Sequence, residues 1–273
     1  YNSKVECYSE PGKPENIIDR FLQFLQAQDK FAQKILSVNH PMKLTGAQER
    51  SFQMATHCYN CGENFAENKL VKVRDHDHVS SRYRGAACNS CNLALKPRTG
   101  KSRFSSESGY FIPVFLHNGA NYDFKLIVKY LSKRFAAREI NVIASNTEEF
   151  IGFQIGNIRF LDIFKFLSTS LDALTQNLLK SGEDKFTITR KEFPGSSTVF
   201  RKGIYPYEYM NSSSRFLETE LPPRRAFYSQ LNDRDITEDE YKMAQDAWTE
   251  FGCLTMKNYH DFYLKLDVTL LAD

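Results

Sequence analysis

The chain has 273 residues, 36 Lys and Arg against 33 Asp and Glu, a formal net charge of +3 and 41% hydrophobic residues. This length accommodates one large domain or two smaller ones. No run of about 18 apolar residues is present to span a bilayer, and no targeting segment opens the chain. A soluble intracellular protein without a membrane partner is expected. Six cysteines in a chain of this size are too few for a disulfide scaffold, and there is no internal repeat.

From Pro14 to Leu36, the residues Ile17, Ile18, Phe21, Leu22, Phe24, Leu25, Phe31 and Ile35 recur at helical spacing. One or two amphipathic helices are expected here, with the aromatic stripe packed into a core.

Two cysteine pairs follow, Cys58-x-x-Cys61 and Cys88-x-x-Cys91, separated by 26 residues. Each pair can wrap one side of a tetrahedral ion, and four thiolates make a structural zinc site. The plainer alternative is a disulfide pair or buried free thiols. Cys7 and Cys253 have no partner at ligand spacing and read as small hydrophobes.

Between the pairs stands Arg74-Asp75-His76-Asp77-His78. In a strand, alternation puts His76 and His78 on one face and Asp75 on the other. Two histidines and two aspartates gathered inside a zinc knot suggest a hydrolytic metal site, whereas a single histidine is more often structural. Around them, Lys69, Lys72, Arg74, Arg82, Arg84, Lys96, Arg98, Lys101 and Arg103 meet only Asp75 and Asp77 as acids within the same stretch. Such a concentration of cations steers a polyanion toward the surface; the alternative is a solvated loop face.

Beyond a polar link at Ser105 to Gly109, the pattern changes. An apolar strand at Ile112 to Leu116 ends in His117-Asn118-Gly119-Ala120-Asn121-Tyr122-Asp123, and a helix with Phe124, Ile127, Val128 and Leu131 follows. Strands are expected at Asn141 to Ile143, Phe150 to Ile155 and Asn157 to Ile163, giving a mixed α/β layer. From Asn232 to Glu250 acids outnumber bases, and this face should meet solvent or a basic partner. Thr237 and Glu240 form a capping box. A last helix runs to Asp273 with Tyr263 and Asp267 on one face. Asp123 as a helix cap, and Tyr263 with Asp267 as a surface pair, are the structural alternatives.

The residues Asp75-His76-Asp77-His78 and Cys88-Asn89-Ser90-Cys91-Asn92 resemble the His-Me finger (HNH) nucleases of the endonuclease VII type, over about residues 55 to 98. The resemblance implies a hairpin carrying the Asp-His pair and a helix carrying the Asn. It further implies that Asp75 and Asn92 bind Mg²⁺, that His76 is the general base and that His78 assists at the phosphate or leaving group. Cys58, Cys61, Cys88 and Cys91 would then hold zinc away from the chemistry. Mg²⁺ favours a few hard oxygen ligands, and an imidazole of pKa about 6.5 can accept a proton at neutral pH.

Asn118 to Asp123 and Tyr263-x-x-x-Asp267 resemble the second and third exonuclease motifs of family B DNA polymerases. Ser170-Leu171-Asp172-Ala173-Leu174 resembles a motif of the protein-primed members. The stretch Arg201 to Met210, Glu220-Leu221-Pro222-Pro223 and Tyr259 to Asp273 resemble their viral and Maverick/Polinton branch, which can carry an endonuclease VII-like insertion. This resemblance covers nearly the whole chain. It implies a truncated RNase H-like 3′–5′ exonuclease-type α/β domain with an inserted zinc-bound His-Me finger. Residues 1–48 would be an N-terminal helical segment, 49–105 the finger and 106–273 the exonuclease fragment.

Asp123 and Asp267 would hold metal ions and Tyr263 would orient water. Asn118, Asn121, Ser170 and Leu171, with Arg74, Arg82, Arg84, Lys96 and Arg98, would contact DNA, branched or single-stranded. A priming terminal protein and a homodimer are the other implied partners, at a viral or transposon replication site in nucleus or cytoplasm.

Two departures qualify the resemblance. The Asp-x-Glu pair of the first exonuclease motif does not occur in these residues, and with the chain starting at Tyr1 rather than Met the motif is expected just upstream of a truncation. The polymerase palm is absent too. The chain alone is therefore expected neither to polymerise nor to proofread efficiently. Three function classes follow: a nuclease piece of such a polymerase, a non-catalytic zinc-built DNA platform, and an interaction fragment working through the acidic C-terminal face.

Overall fold

The structure, a computed structural model, describes residues 5, 7–8, 14–38, 40–95, 110–131, 135, 139–144, 150–231 and 233–273. The chain forms two compact units, one of Asp19–Phe115 with Phe124–Leu161, the other of Tyr1–Ile18 with Leu116–Asp123 and Asp162–Asp273. It is a mixed α/β structure with one two-stranded and one four-stranded sheet among the described residues. The finger expected at residues 49–105 thus shares a unit with most of the four-stranded sheet. No helix of the described residues is long and apolar enough to cross a membrane.

Helix α1 (Pro14–Leu36), which belongs to the first unit from Asp19 on, is one continuous helix. Leu22 and Leu25 are buried, but Phe24, Phe31 and Ile35 are exposed, which corrects the expectation that the whole stripe packs. At 3.6 residues per turn, Phe24 lies about 200° around the helix from Leu22, and Phe31 lies about 180° from it. The eight apolar positions therefore span more arc than one core face can cover. On the other side of the unit, α1 is tied to the sheet by Asp29, whose carboxylate accepts from Tyr110 Oη at 2.5 Å and Asn157 Nδ2 at 3.1 Å.

The helix α2 (Gly46–Met54) starts on a capping box of Thr45 and Gln48. A hairpin of β1 (Lys72–His76) and β2 (Tyr83–Cys88) leads into the short helix α3 (Asn89–Ala94). Phe52, Phe65, Ala86 and Ala87 with Cys58 and Cys88 form its small core. Later in the unit come β3 (Ile112–Leu116), α4 (Asp123–Leu131), β4 (Ile140–Ala144), β5 (Phe150–Ile155) and β6 (Ile158–Asp162). Their sheet order is β3-β6-β5-β4, with β4–β5 and β5–β6 antiparallel. Ile155 pairs with Ile158, leaving a two-residue turn whose first member, Gly156, has φ 55°. Hairpin turns of this length need that left-handed conformation, which glycine adopts without strain. The sheet's core is aromatic: Phe153 stacks on Phe160 at 4.4 Å, and Phe124 of α4 meets Phe153 edge-on at 5.2 Å.

The second unit is helical, with α5 (Leu171–Leu179), α6 (Thr187–Glu192), α7 (Glu238–Glu250) and α8 (Met256–Ala272). Phe186, Phe193, Val199, Met256, Tyr259, Phe262 and Leu266 lie in its core. The expected Thr237–Glu240 capping box is present on α7. Asp273 closes the fold by accepting from the amides of Ile188 at 2.7 Å and Thr189 at 2.9 Å, two orphan donors at the start of α6. Cys253 is buried as expected, whereas Cys7 is exposed and donates to Asp261 Oδ1 at 3.4 Å rather than packing as a hydrophobe.

Candidate metal centre and nuclease site

The four ligand sulfurs of Cys58, Cys61, Cys88 and Cys91 lie within 4.8 Å of one another, with Cys61 and Cys88 4.0 Å apart. Tetrahedral zinc–thiolate bonds of about 2.3 Å separate sulfurs by about 3.8 Å, so the arrangement fits a structural zinc. The two pairs converge through local backbone. After Cys58 the chain turns back at once, Gly62 donating to the Cys58 carbonyl at 2.9 Å, while Cys88 donates its amide to Cys58 Sγ at 3.2 Å. Cys88 is also the N-cap of α3, its sulfur accepting from the Cys91 amide at 3.4 Å. Burial pushes the Cys58 thiol up, but the amides of Cys61, Cys88 and Asn60 aimed at its sulfur outweigh burial and leave it well below the usual thiol range. The Ser90 hydroxyl, first among its partners, lowers the Cys88 thiol as well. These amide and hydroxyl donors favour thiolate at Cys58 and Cys88, as a zinc ligand needs. At Cys61 and Cys91, by contrast, the Glu63 amide and the Asn60 side chain respectively pull the thiol down, but desolvation and the neighbouring cysteine sulfurs outweigh them and raise both.

The hairpin above this knot carries Asp75 and His76, and its register slips between them. Asp75 faces Gly85 and His76 faces Tyr83, so Arg84 is the extra residue of a bulge. The Arg84 guanidinium reaches Asp77 Oδ2 at 2.9 Å and Asp75 Oδ2 at 3.8 Å. Strand β1 ends at His76, yet the rings of His76 and His78 lie 4.5 Å apart, consistent with the shared face that alternation suggests.

Asp75 is 4% exposed and accepts a hydrogen bond of 2.5 Å from Tyr59 Oη. Desolvation and this bond push the Tyr59 hydroxyl up to about 12. Asp77 works differently. It caps the turn through the amides of Ser80 at 2.8 Å and Val79 at 3.0 Å. The Ser80 amide first and Arg84 next hold its carboxyl well below the usual carboxylate range. Of the two aspartates in the run, Asp77 is therefore a turn residue. Asn92 stands half-buried on α3, which packs on both strands.

The basic residues divide. Lys72 donates to the carbonyls of Phe52, Gln53 and Ala55 at 3.0 to 3.1 Å, satisfying the C-terminus of α2, and lies over the Phe52 and Phe65 rings. Arg74 bonds Glu49 at 2.6 Å and lies 4.1 Å from the centroid of Phe52. Glu49 comes from outside the stretch in which the cations outnumber their acids. Arg82 is exposed. Lys96, Arg98, Lys101, Arg103 and the link from Ser105 to Gly109 lie outside the described residues.

In the second unit, Asp162 is buried and gathers the loop after β3, accepting from the amides of Asn118 at 2.9 Å, Ala120 at 3.1 Å and Phe164 at 3.0 Å. Asn118 adopts φ 61° and accepts from Asn121 Nδ2 at 2.6 Å. Helix α4 begins at Asp123, whose carboxyl pKa is raised by desolvation and by the Asp162 carboxylate. Ser170 caps α5 through the Ala173 amide at 3.2 Å, with Leu171 as the first helical residue.

On α8, Tyr263 is buried and hydrogen-bonds Tyr207 and Asp267. Asp267 keeps a buried Oδ1 without a hydrogen-bond partner among the described residues, and burial raises its carboxyl against the pull of Lys202. No hydrogen bond or ion pair among the described residues joins Asp123 to Tyr263 or Asp267. The acidic segment is partly neutralised: Glu238 pairs with Arg224, Glu240 with Arg234 and Asp246 with Lys242.

Sequence reasoning missed Tyr59, Glu49 and Asp162. Only Tyr59 carried a signal, its place between the first two cysteines.

No curated protein and no solved structure matches the chain. Residues 37–107 match the family model described as recombination endonuclease VII. With its four convergent cysteines, this region is an endonuclease VII-like domain, which supports a nuclease module of the His-Me finger type.

Proposed function

We propose that the endonuclease VII-like domain cuts DNA phosphodiesters with Mg²⁺ and that zinc in the four cysteines holds its hairpin and helix together. The observation that carries this reading is the hairpin–helix unit built on the cysteine knot, with Asp75 and His76 at its bulge and Asn92 on the helix. Asp75 and Asn92 offer hard oxygen donors suited to Mg²⁺, which when bound supplies Lewis-acid stabilisation of phosphate charge. His76 takes a proton from the attacking water at a ring nitrogen. His78, with its ring against His76, assists at the phosphate or the leaving oxygen. Arg82 and Arg84 flank this edge and bind the DNA backbone.

The wider reading places this domain within the exonuclease region of a protein-primed family B polymerase, of RNase H-like architecture. Its support is the Asn118–Asp123 loop gathered by Asp162, Ser170 and Leu171 at the head of α5, and the Tyr263–Asp267 pair with its orphaned carboxylate oxygen. On this reading Asp123 and Asp267 are metal ligands, Asn118 and Asn121 meet a single strand, and a terminal protein and a homodimer are partners at a viral or transposon replication site. Without the first exonuclease motif, proofreading by these residues is incomplete.

A second reading, a zinc-built DNA platform without catalysis, is favoured by one observation: Tyr59 and Arg84 already occupy one oxygen of Asp75. Cleavage of labelled branched and linear DNA by zinc-loaded protein with Mg²⁺ separates the two. Internal nicking abolished by His76→Ala and Asn92→Ala, and retained by Asp123→Ala with Asp267→Ala, is the expected result. DNA binding without metal-dependent nicking would overturn the nuclease reading and leave the platform.

A further inference from the structure

We propose that Tyr59 is a positioning residue for Asp75, its hydroxyl fixing which carboxylate oxygen the nuclease site offers to a divalent cation. The inference rests on the nuclease reading above. Both partners of the Asp75 carboxylate sit on one atom: Tyr59 Oη donates to Oδ2 at 2.5 Å and Arg84 lies 3.8 Å from the same oxygen. Oδ1 carries no hydrogen bond among the described residues. A carboxylate pinned at one oxygen presents the other in a fixed direction, and donors of this kind orient metal-ligating carboxylates.

The cysteine loop and strand β2 together hold the tyrosine. Tyr59 follows Cys58 directly, and Cys61 is two residues further on, so the tyrosine stands in sequence between two of the four ligand cysteines. Its amide donates to the Ala86 carbonyl of β2 at 3.0 Å. Its ring lies against Gly85, where a built Cβ would come within 2.9 Å of a ring carbon. Gly85 is the register partner of Asp75. The strand that faces Asp75 thus lacks a side chain where the tyrosine ring crosses it, and the ring delivers its hydroxyl to the carboxylate. Zinc ligation and cation binding are connected through one side chain.

The test is Mn²⁺ binding to the zinc-loaded full chain, followed by electron paramagnetic resonance of free Mn²⁺, for wild type, Tyr59→Phe and Asp75→Asn, with zinc content measured on each. Phenylalanine keeps the ring against Gly85 and removes only the hydroxyl. The expected result is one zinc retained in Tyr59→Phe with a Kd for Mn²⁺ raised about 10- to 100-fold, and little or no binding in Asp75→Asn. If Asp75→Asn loses Mn²⁺ while Tyr59→Phe binds it as wild type does, the nuclease reading survives and the positioning role is overturned. If Asp75→Asn binds Mn²⁺ like wild type, Asp75 is not a ligand, and both the reading and the role of Tyr59 fall. Loss of zinc in Tyr59→Phe would show the hydroxyl to act on the knot itself, also against the proposal.

Discussion

Arg74 closes on Glu49, a residue 25 positions earlier, through two hydrogen bonds of 2.6 and 3.1 Å. With its guanidinium also lying over the Phe52 ring, Arg74 joins the hairpin to α2 and is less available to DNA than its place in a basic run suggests.

DNA affinity should therefore depend more on Arg82 than on Arg74. Removing one phosphate-binding cation lowers the slope of log K against log salt by about 1. Arg82→Gln is expected to reduce the slope by about that amount, Arg74→Gln by clearly less. The Arg74–Glu49 pair is partly exposed, so breaking it should change stability little. Fluorescence anisotropy across a salt series and urea unfolding measure both; equal slopes for the two variants would refute the division.

Zinc should be stoichiometric with the chain and necessary for the domain's fold. The small core of Phe52, Phe65, Ala86 and Ala87 is too slight to replace it, and metal binding in such modules is largely folding free energy. Chelation, or Cys58→Ser, is expected to remove amide hydrogen-exchange protection from β1 and β2 while α7 and α8 keep theirs. Elemental analysis and hydrogen exchange followed by mass spectrometry check this, and protection unchanged after zinc removal would contradict it.

Gly85→Ala should be costly although alanine is small. The added Cβ would meet the Tyr59 ring at 2.9 Å, with two further ring and side-chain atoms at 3.0 and 3.3 Å. Overpacking of this kind costs about 1–3 kcal/mol, and relief by ring movement would pull the hydroxyl from Asp75. A lowered Tm together with weaker Mn²⁺ binding is expected. Wild-type values for both would mean that the ring moves freely.

The second unit should lose stability in mild acid. Burial lowers the pKa of His260, against Asp261, which raises it, and in concert with Lys257. Its Nδ1 is bonded to Tyr205 Oη at 2.6 Å. A histidine depressed in the fold contributes stability that is complete above its unfolded pKa of about 6.5 and is lost as pH falls through the lower folded value. His260→Gln should flatten the fall in stability below about pH 6.5, as read from denaturant midpoints at several pH values. An equal fall in both proteins would exclude His260 as its source.

Whatever depends on near neighbours was legible in the chain alone. The spacing of Cys58, Cys61, Cys88 and Cys91 specifies a four-thiolate site because ligand geometry is set by two short loops. The helix over Pro14–Leu36, the strand at Ile112–Leu116 and the capping box at Thr237 follow from periodicity and local hydrogen bonding. Packing in three dimensions chose the partners. It gave Lys72 to the end of α2, Arg74 to Glu49, Asp77 to its turn and Asp75 to Tyr59, and it exposed Phe24 and Phe31 of α1. A charged or aromatic side chain can satisfy itself with many groups, and the choice among them depends on packing between segments distant in sequence. The aspartate beside His76 is legible as a candidate ligand from its neighbours, but only the fold shows which of its oxygens is held.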